Sequence, residues 1–207
     1  MNPVLVLASA SPRRQELLQN AGIRFRVQPS ELPETRLAGE LPLDFARRLA
    51  QLKARFVLEK LGENAEMNNA GGDGLYVLGA DTIVVAGDEV LGKPVDAQDA
   101  VRMLQMLSGR MHEVVTAVCL TGREPQGKFF EDVRSETTQV AFDEIRLEEI
   151  RQYVAQGEPM DKAGAYAIQG MASRWIRGLR GDYSNVVGLP VRLVYRMLGE
   201  HGAIASG

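Results

Sequence analysis

Cysteine, histidine, tryptophan and net charge are all scarce in this chain of 207 residues, and each scarcity removes a class of function. The single cysteine, Cys119, excludes an internal disulfide, and with only His112 and His201 beside it a zinc centre built from Cys and His is not expected. Any metal would be held by carboxylates and would be a hard cation. A formal net charge of -3, from 24 basic and 27 acidic side chains, argues against a nucleic-acid partner, and no basic tail or aromatic-basic interleaving reverses that. No run approaches the ~18 apolar residues of a membrane helix, and the N-terminus lacks a basic segment ahead of a long apolar run with a small-residue cleavage site. No membrane association is therefore expected, and the cytoplasm is the expected compartment. The glycine-rich Lys-Ser/Thr loop of P-loop nucleotide hydrolases is also missing, and Gly72-Asp73-Gly74 has neither the strand nor the helix of a dinucleotide fingerprint beside it.

What is present is an apolar content of 45%, enough for a sizeable core in one domain or a two-lobed one. The most organised stretch is LVLASASPRRQELL, Leu5 to Leu18. Val4 to Leu7 has the apolar, β-branched character of a buried strand. Ser11 suits a helix N-cap and Pro12 a first helical position, so the spacing predicts a helix from Pro12 to about Gly22. Arg13 and Arg14 then stand in the first turn, where the helix dipole is already positive and an anion should compensate them. With Ser9 and Ser11 they form a candidate polyphosphate cradle; two solvated arginines on a capped surface helix are the alternative.

Further along, Phe25 to Val27 reads as a short strand, and Pro29 to Glu34 as a rigid acidic loop in which Glu34 is either a metal ligand or solvated. Leu43 to Leu61 is a helix whose apolar face collects Phe45, Ala46, Leu49, Ala50, Leu52, Phe56 and Val57, with Lys53 in its middle. That lysine either snorkels to the edge or meets a negative partner in a cleft. Glu63 to Gly74 reads as a mobile loop. Tyr76 to Val85 is the most apolar run and carries Asp81; a buried carboxylate there demands a metal, a cation or several donors. Gly79 and Ala80 leave room for a ligand beside it. A turn at Gly87-Asp88-Glu89 then brings Lys93 toward Asp81 if the two flanking runs pair.

Asp96 to Leu107 and Ile145 to Val154 are amphipathic helices, while Val114 to Leu120, with Cys119 in the core, and Val133 to Phe142 are strands. Asp161 and Lys162 read as a surface pair. Trp175 and Ile176 begin a last strand, Gly181 to Asn185 is a loop, and Leu189-Pro190 opens a helix through Leu198. The whole predicts an α/β fold with a mixed, strongly twisted sheet, two lobes and a central cleft.

Taken together, Ser9-x-Ser11-Pro12-Arg13-Arg14, Glu34, Lys53, Gly79-Ala80-Asp81-Thr82, Gly92-Lys93-Pro94, Asp161 to Tyr166, Ile168-Gln169-Gly170 and Asn185 to Pro190 resemble the Maf family of nucleoside triphosphate pyrophosphatases. The resemblance spans about residues 4 to 198. It implies a single domain related in fold to the inosine triphosphate pyrophosphatases, a nucleoside triphosphate substrate cut between the α and β phosphates, a divalent cation (Mg²⁺, or Mn²⁺), and a cytoplasmic homodimer. By position, Asp81 resembles the proton acceptor, Glu34 and Asp81 the metal-site acids, and Ser9, Arg13, Arg14, Lys53 and Lys93 the phosphate-handling groups. Arg13, Thr82 and Gln169 resemble the dTTP/UTP branch, since the 7-methyl-GTP branch has Trp, Gln and Glu there. Ala167 stands where many relatives have Gly. A nucleotide-binding regulator of septum formation without essential catalysis is the competing expectation; a buried acid beside a metal site favours the enzyme.

Overall fold

The computed structural model describes residues 4–63, 74–124 and 127–204, so most of the loop expected over 63–74 lies outside the described residues. Strand β1 (Val4–Leu7) leads into helix α1 (Pro12–Asn20), with Ser11 at the N-cap and Gly22 at φ +69° just past its end. The Ser11 side chain accepts no capping bond; its backbone N–H instead donates to Ser9 Oγ at 3.2 Å. Strand β2 (Arg26–Val27) is followed by irregular chain up to helix α2 (Pro42–Glu63). Strand β3 (Leu75–Ala86) turns at Gly87-Asp88 into β4 (Glu89–Leu91). Helix α3 (Ala97–Leu107) is capped by Asp96, whose carboxylate accepts the Asp99 N–H at 2.8 Å.

Strands β5 (Met111–Arg123) and β6 (Phe129–Phe142) are longer than the apolar runs alone suggest. Helix α4 (Leu147–Ala155) starts two residues later than its periodicity. Three short 3-10 turns follow, at 158–161, 163–165 and 171–175, before strand β7 (Ile176–Arg180). Residues 183–187 form helix α5 (Tyr183–Val187), not a loop, because the Asp182 carboxylate accepts the N–H groups of Ser184 at 2.7 Å and Asn185 at 3.2 Å and so starts a helix. Helix α6 (Val191–Glu200) completes the described chain.

The seven strands form one mixed sheet in the order β2-β1-β3-β5-β6-β7, with β4 paired to β3. β1 runs parallel to β2 and β3, whereas β3–β4 and β6–β7 are antiparallel. The chain divides into two compact units, one of residues 1–81, 117–135 and 188–207, the other of 82–116 and 136–187. In the first, Leu5, Leu7, Leu18, Tyr76, Leu78 and Leu120 pack with the apolar face of α6. In the second, α3 and α4 bury Leu104, Leu107, Ile150 and Tyr153 among Phe142, Tyr166 and Trp175. Cys119 is buried, and burial pushes its thiol up to about 12, which leaves it a core residue without nucleophilic character.

Candidate active site

Asp81 lies in β3 at 5% exposure, and what sets its surroundings is the approach of α2. Gly79 does not open a space for a ligand, as its small size suggested: a Cβ on it would stand 2.3 Å from the Ala50 carbonyl oxygen and 2.8 Å from the Ala54 nitrogen. The helix backbone fills that room. Glycine on the strand and alanine on the helix bring the two elements close enough for Lys53, 6% exposed, to turn its ammonium onto the strand. The buried face of α2 is Phe45, Ala46, Leu49, Ala50, Ala54, Val57 and Leu61; Leu52, expected on it, is 39% exposed. Lys60 reaches the surface, its Nζ over the Phe56 ring at 4.4 Å.

Lys53 Nζ donates to Asp81 Oδ1 at 2.7 Å and to Glu34 Oε1 at 2.5 Å. One ammonium thus joins two carboxylates brought from separate elements, which settles the choice between snorkelling and pairing for Lys53. Burial pushes the Asp81 carboxyl above its ordinary range; Lys53 and, more weakly, Arg14 oppose that rise, and the Glu34 charge adds to it. Asp81 is therefore a stronger base than a solvated carboxylate.

Arg14 belongs to the same cluster but spends much of its hydrogen bonding on the fold. Its Nε donates to the Gly188 carbonyl at 2.8 Å, and its Nη1 to Ala80 O at 3.0 Å and Ser9 Oγ at 3.2 Å. Burial of the guanidinium lowers its pKa, against the pull of Asp81 and Glu34. Arg13 stands half-buried beside it. Ser9 is 8% exposed, and Ser30 Oγ donates to the next carbonyl, Ala8 O, at 3.2 Å. The Ala8 and Gly188 carbonyls that receive Ser30 and Arg14 are backbone acceptors and leave no side-chain signature in the sequence.

The remaining candidates, Thr82, Lys93 and Gln169, fall in the second unit. Thr82 Oγ1 is 2.9 Å from Thr116 Oγ1, which donates to the Asn185 carbonyl at 3.1 Å. Lys93 is exposed, two residues beyond Leu91, the partner of Val84 in the β3–β4 register. Gln169 is exposed in the turn that follows Tyr166. Glu158 braces that turn: its carboxylate accepts the Tyr153 hydroxyl at 2.7 Å and the Met171 N–H at 3.4 Å, and covers the face of Gly170. Asp161 and Lys162 pair at 2.6 Å, but only Asp161 is exposed as a surface pair requires; the Lys162 side chain is 13% exposed and its Nζ also donates to the Glu158 carbonyl.

A buried lysine shared by two acids, beside a serine-arginine helix start, suits anhydride hydrolysis, and comparison with known proteins agrees. Residues 4–201 match the Maf family, described as Maf-like protein. The chain belongs to the Maf family. A Maf relative named dTTP/UTP pyrophosphatase, from Koribacter versatilis, is 53% identical over 97% of this chain and 95% of its own length. Another of that name, from a Geobacter species, is 50% identical over 99% of each. A solved structure described as a nucleoside-triphosphatase / dITP/XTP pyrophosphatase, from Mycobacterium abscessus, covers 99% of the chain at 16% identity with a TM-score of 0.44, too distant a likeness to carry weight.

Proposed function

We propose that this Maf protein hydrolyses dTTP and UTP, and modified pyrimidine triphosphates with the same base edge, to the monophosphate and pyrophosphate, a house-cleaning of the nucleotide pool. The near-full-length match to relatives of that name carries the reading. The cluster on Lys53 supplies a chemical centre for it.

In the reaction, Asp81 accepts a proton from water as the water oxygen bonds to the phosphorus being attacked. The α–β anhydride bond breaks, and its electron pair leaves on the pyrophosphate oxygen. Burial, by raising the Asp81 pKa, favours that role, which typically contributes ~10²–10⁴-fold. Lys53, Arg13 and Lys93 offset the polyphosphate charge, while Arg14 shapes the helix start that receives it. Thr82 and Gln169 read the base: the Gln169 amide has a donor and an acceptor side, which matches the O4 acceptor and N3–H donor of uracil or thymine.

The donor set fits a divalent hard cation. Two carboxylates converge on one positive charge, and Mg²⁺ characteristically takes one or two protein carboxylates together with substrate phosphates. Glu34 and Asp81 would hold it. When bound it neutralises the polyphosphate and polarises the scissile phosphorus. Among the described residues no helix is long and apolar enough to cross a membrane. A cytoplasmic location and a homodimer complete the proposal.

Pyrophosphate release from a panel of nucleotides, with and without Mg²⁺, tests the reading. Release from UTP and dTTP that exceeds release from 7-methyl-GTP and is abolished by a chelator is expected. Absence of release from every nucleotide contradicts it.

A further inference from the structure

We propose that the Arg48–Glu40 pair is a positioning device that fastens the irregular segment 35–40 to α2 and thereby holds the Glu34 carboxylate on Lys53. The inference rests on the function proposed above and concerns residues that touch neither substrate nor metal in that proposal.

Glu34 lies in chain without helix or strand bonds between β2 and α2, with its side chain 38% exposed. Nothing in regular secondary structure fixes a carboxylate there, yet it meets Lys53 Nζ at 2.5 Å. Arg48, on α2, supplies the missing constraint. Its Nε and Nη2 grip the two Glu40 oxygens at 2.6 and 2.8 Å, a bidentate fork, and Nη2 also donates to the Thr35 carbonyl at 3.0 Å. Thr35 is the residue next to Glu34, so one guanidinium closes on both ends of the segment.

The segment is closed from within as well. The Glu40 carboxylate accepts the Leu37 N–H at 3.0 Å, the Glu40 N–H reaches Leu37 O at 3.2 Å, and Arg36 Nε donates to Glu40 O at 2.9 Å. Arg48 and Lys53 are five residues apart on one helix, roughly 7.5 Å along its axis, and so form two successive anchors for the same stretch of chain. The pair is better shielded than the surface pair Arg102–Glu89, with the Glu40 side chain 9% exposed against 46% for Glu89. The fork also holds the Glu40 carboxyl down to about 2, so the tether stays ionised across any working pH.

Arg48→Lys keeps the charge but not the fork, and Glu40→Gln keeps the shape but not the charge. In each, kcat for UTP at saturating Mg²⁺ should fall about 10- to 100-fold with little change in KM, the signature of a misplaced catalytic group. Trypsin should cleave the native variants after Arg36 at least ~10-fold faster than wild type, as the released segment becomes accessible. Because Arg48 acts through Glu34, adding Arg48→Lys to Glu34→Gln should cost nothing further. Wild-type kcat in either variant, a loss that multiplies with that of Glu34→Gln, or a wild-type rate in Glu34→Gln itself overturns the proposal. If the wild-type protein releases no pyrophosphate at all, the proposed function fails by itself, and unchanged cleavage after Arg36 is then the result that overturns the tether.

Discussion

The two units bury polar groups of different kinds. In the second unit they are neutral and paired only in part: His112 Nε2 lies 2.8 Å from the Tyr166 hydroxyl, and Asn185 Nδ2 donates to Val114 O at 2.9 Å and Thr138 Oγ1 at 3.0 Å, while His112 Nδ1, Trp175 Nε1 and Asn185 Oδ1 have no partner among the described residues. Burial holds His112 down to about 4 and pushes the Tyr166 phenol up, so both are uncharged near neutrality. In the first unit the buried groups include an ammonium and a carboxylate, Lys53 and Asp81, at 6% and 5% exposure. Neutral groups that find partners cost the fold little, whereas buried ions often stabilise it less than apolar residues of the same size would. The first unit thus keeps charges that folding alone does not favour.

The comparison can be broken most strongly at Lys53. Lys53→Met removes the ammonium and leaves Asp81 buried with only the weaker support of Arg14; breaking a buried pair in this way typically costs about 3–5 kcal/mol. Asp81 already has a raised pKa in the fold, so its charge, and with it the penalty, is present above that pKa and disappears as pH falls through it. Denaturation at several pH values should therefore show a loss that is largest at alkaline pH and shrinks on acidification. In the same variant kcat/KM should drop by roughly 1.5–3 kcal/mol for each lost charged hydrogen bond. An unchanged kcat/KM with a higher melting temperature would mean that the first unit's buried charge is incidental.

His112 sharpens the other side. Its folded pKa, about 4, lies below the ordinary 6.5, so the contribution is complete above pH 6.5 and is lost as the unfolded chain takes up the proton between 6.5 and 4. The loss reaches about 3 kcal/mol at the acid end, and His112→Gln should remove that part of the slope without altering activity at neutral pH. The smallest effect belongs to Arg102, whose pairs with Glu89 and Asp99 lie on the surface; Arg102→Ala should change the stability by less than ~1 kcal/mol.

How much of this was legible depended on whether a residue broke a local pattern. Lys53 and Asp81 interrupt apolar faces, so both stood out, and the structure joins them. Gly79 is small without leaving a vacancy, because sequence shows the size of a residue and not which element fills the space beside it. Residues 129–132 belong to β6, yet the Glu131-Asp132 charges disguise the strand; Glu131 is engaged by Arg55 at 2.6 Å, a partner distant in sequence. Arg48 and Glu40 were overlooked because charged residues around a helix start read as solvated until the irregular chain between them is seen to return to the helix.

Under the function proposed above, Asp81 works as a base whose pKa burial raises. The pH dependence of kcat/KM for UTP, in wild type and in Asp81→Asn, tests it directly. Wild type should show an acid limb above the ordinary carboxylate value of about 4, and the variant a rate below about a tenth of wild type with that limb gone. A limb at or below 4, or the same limb persisting in Asp81→Asn, would contradict it.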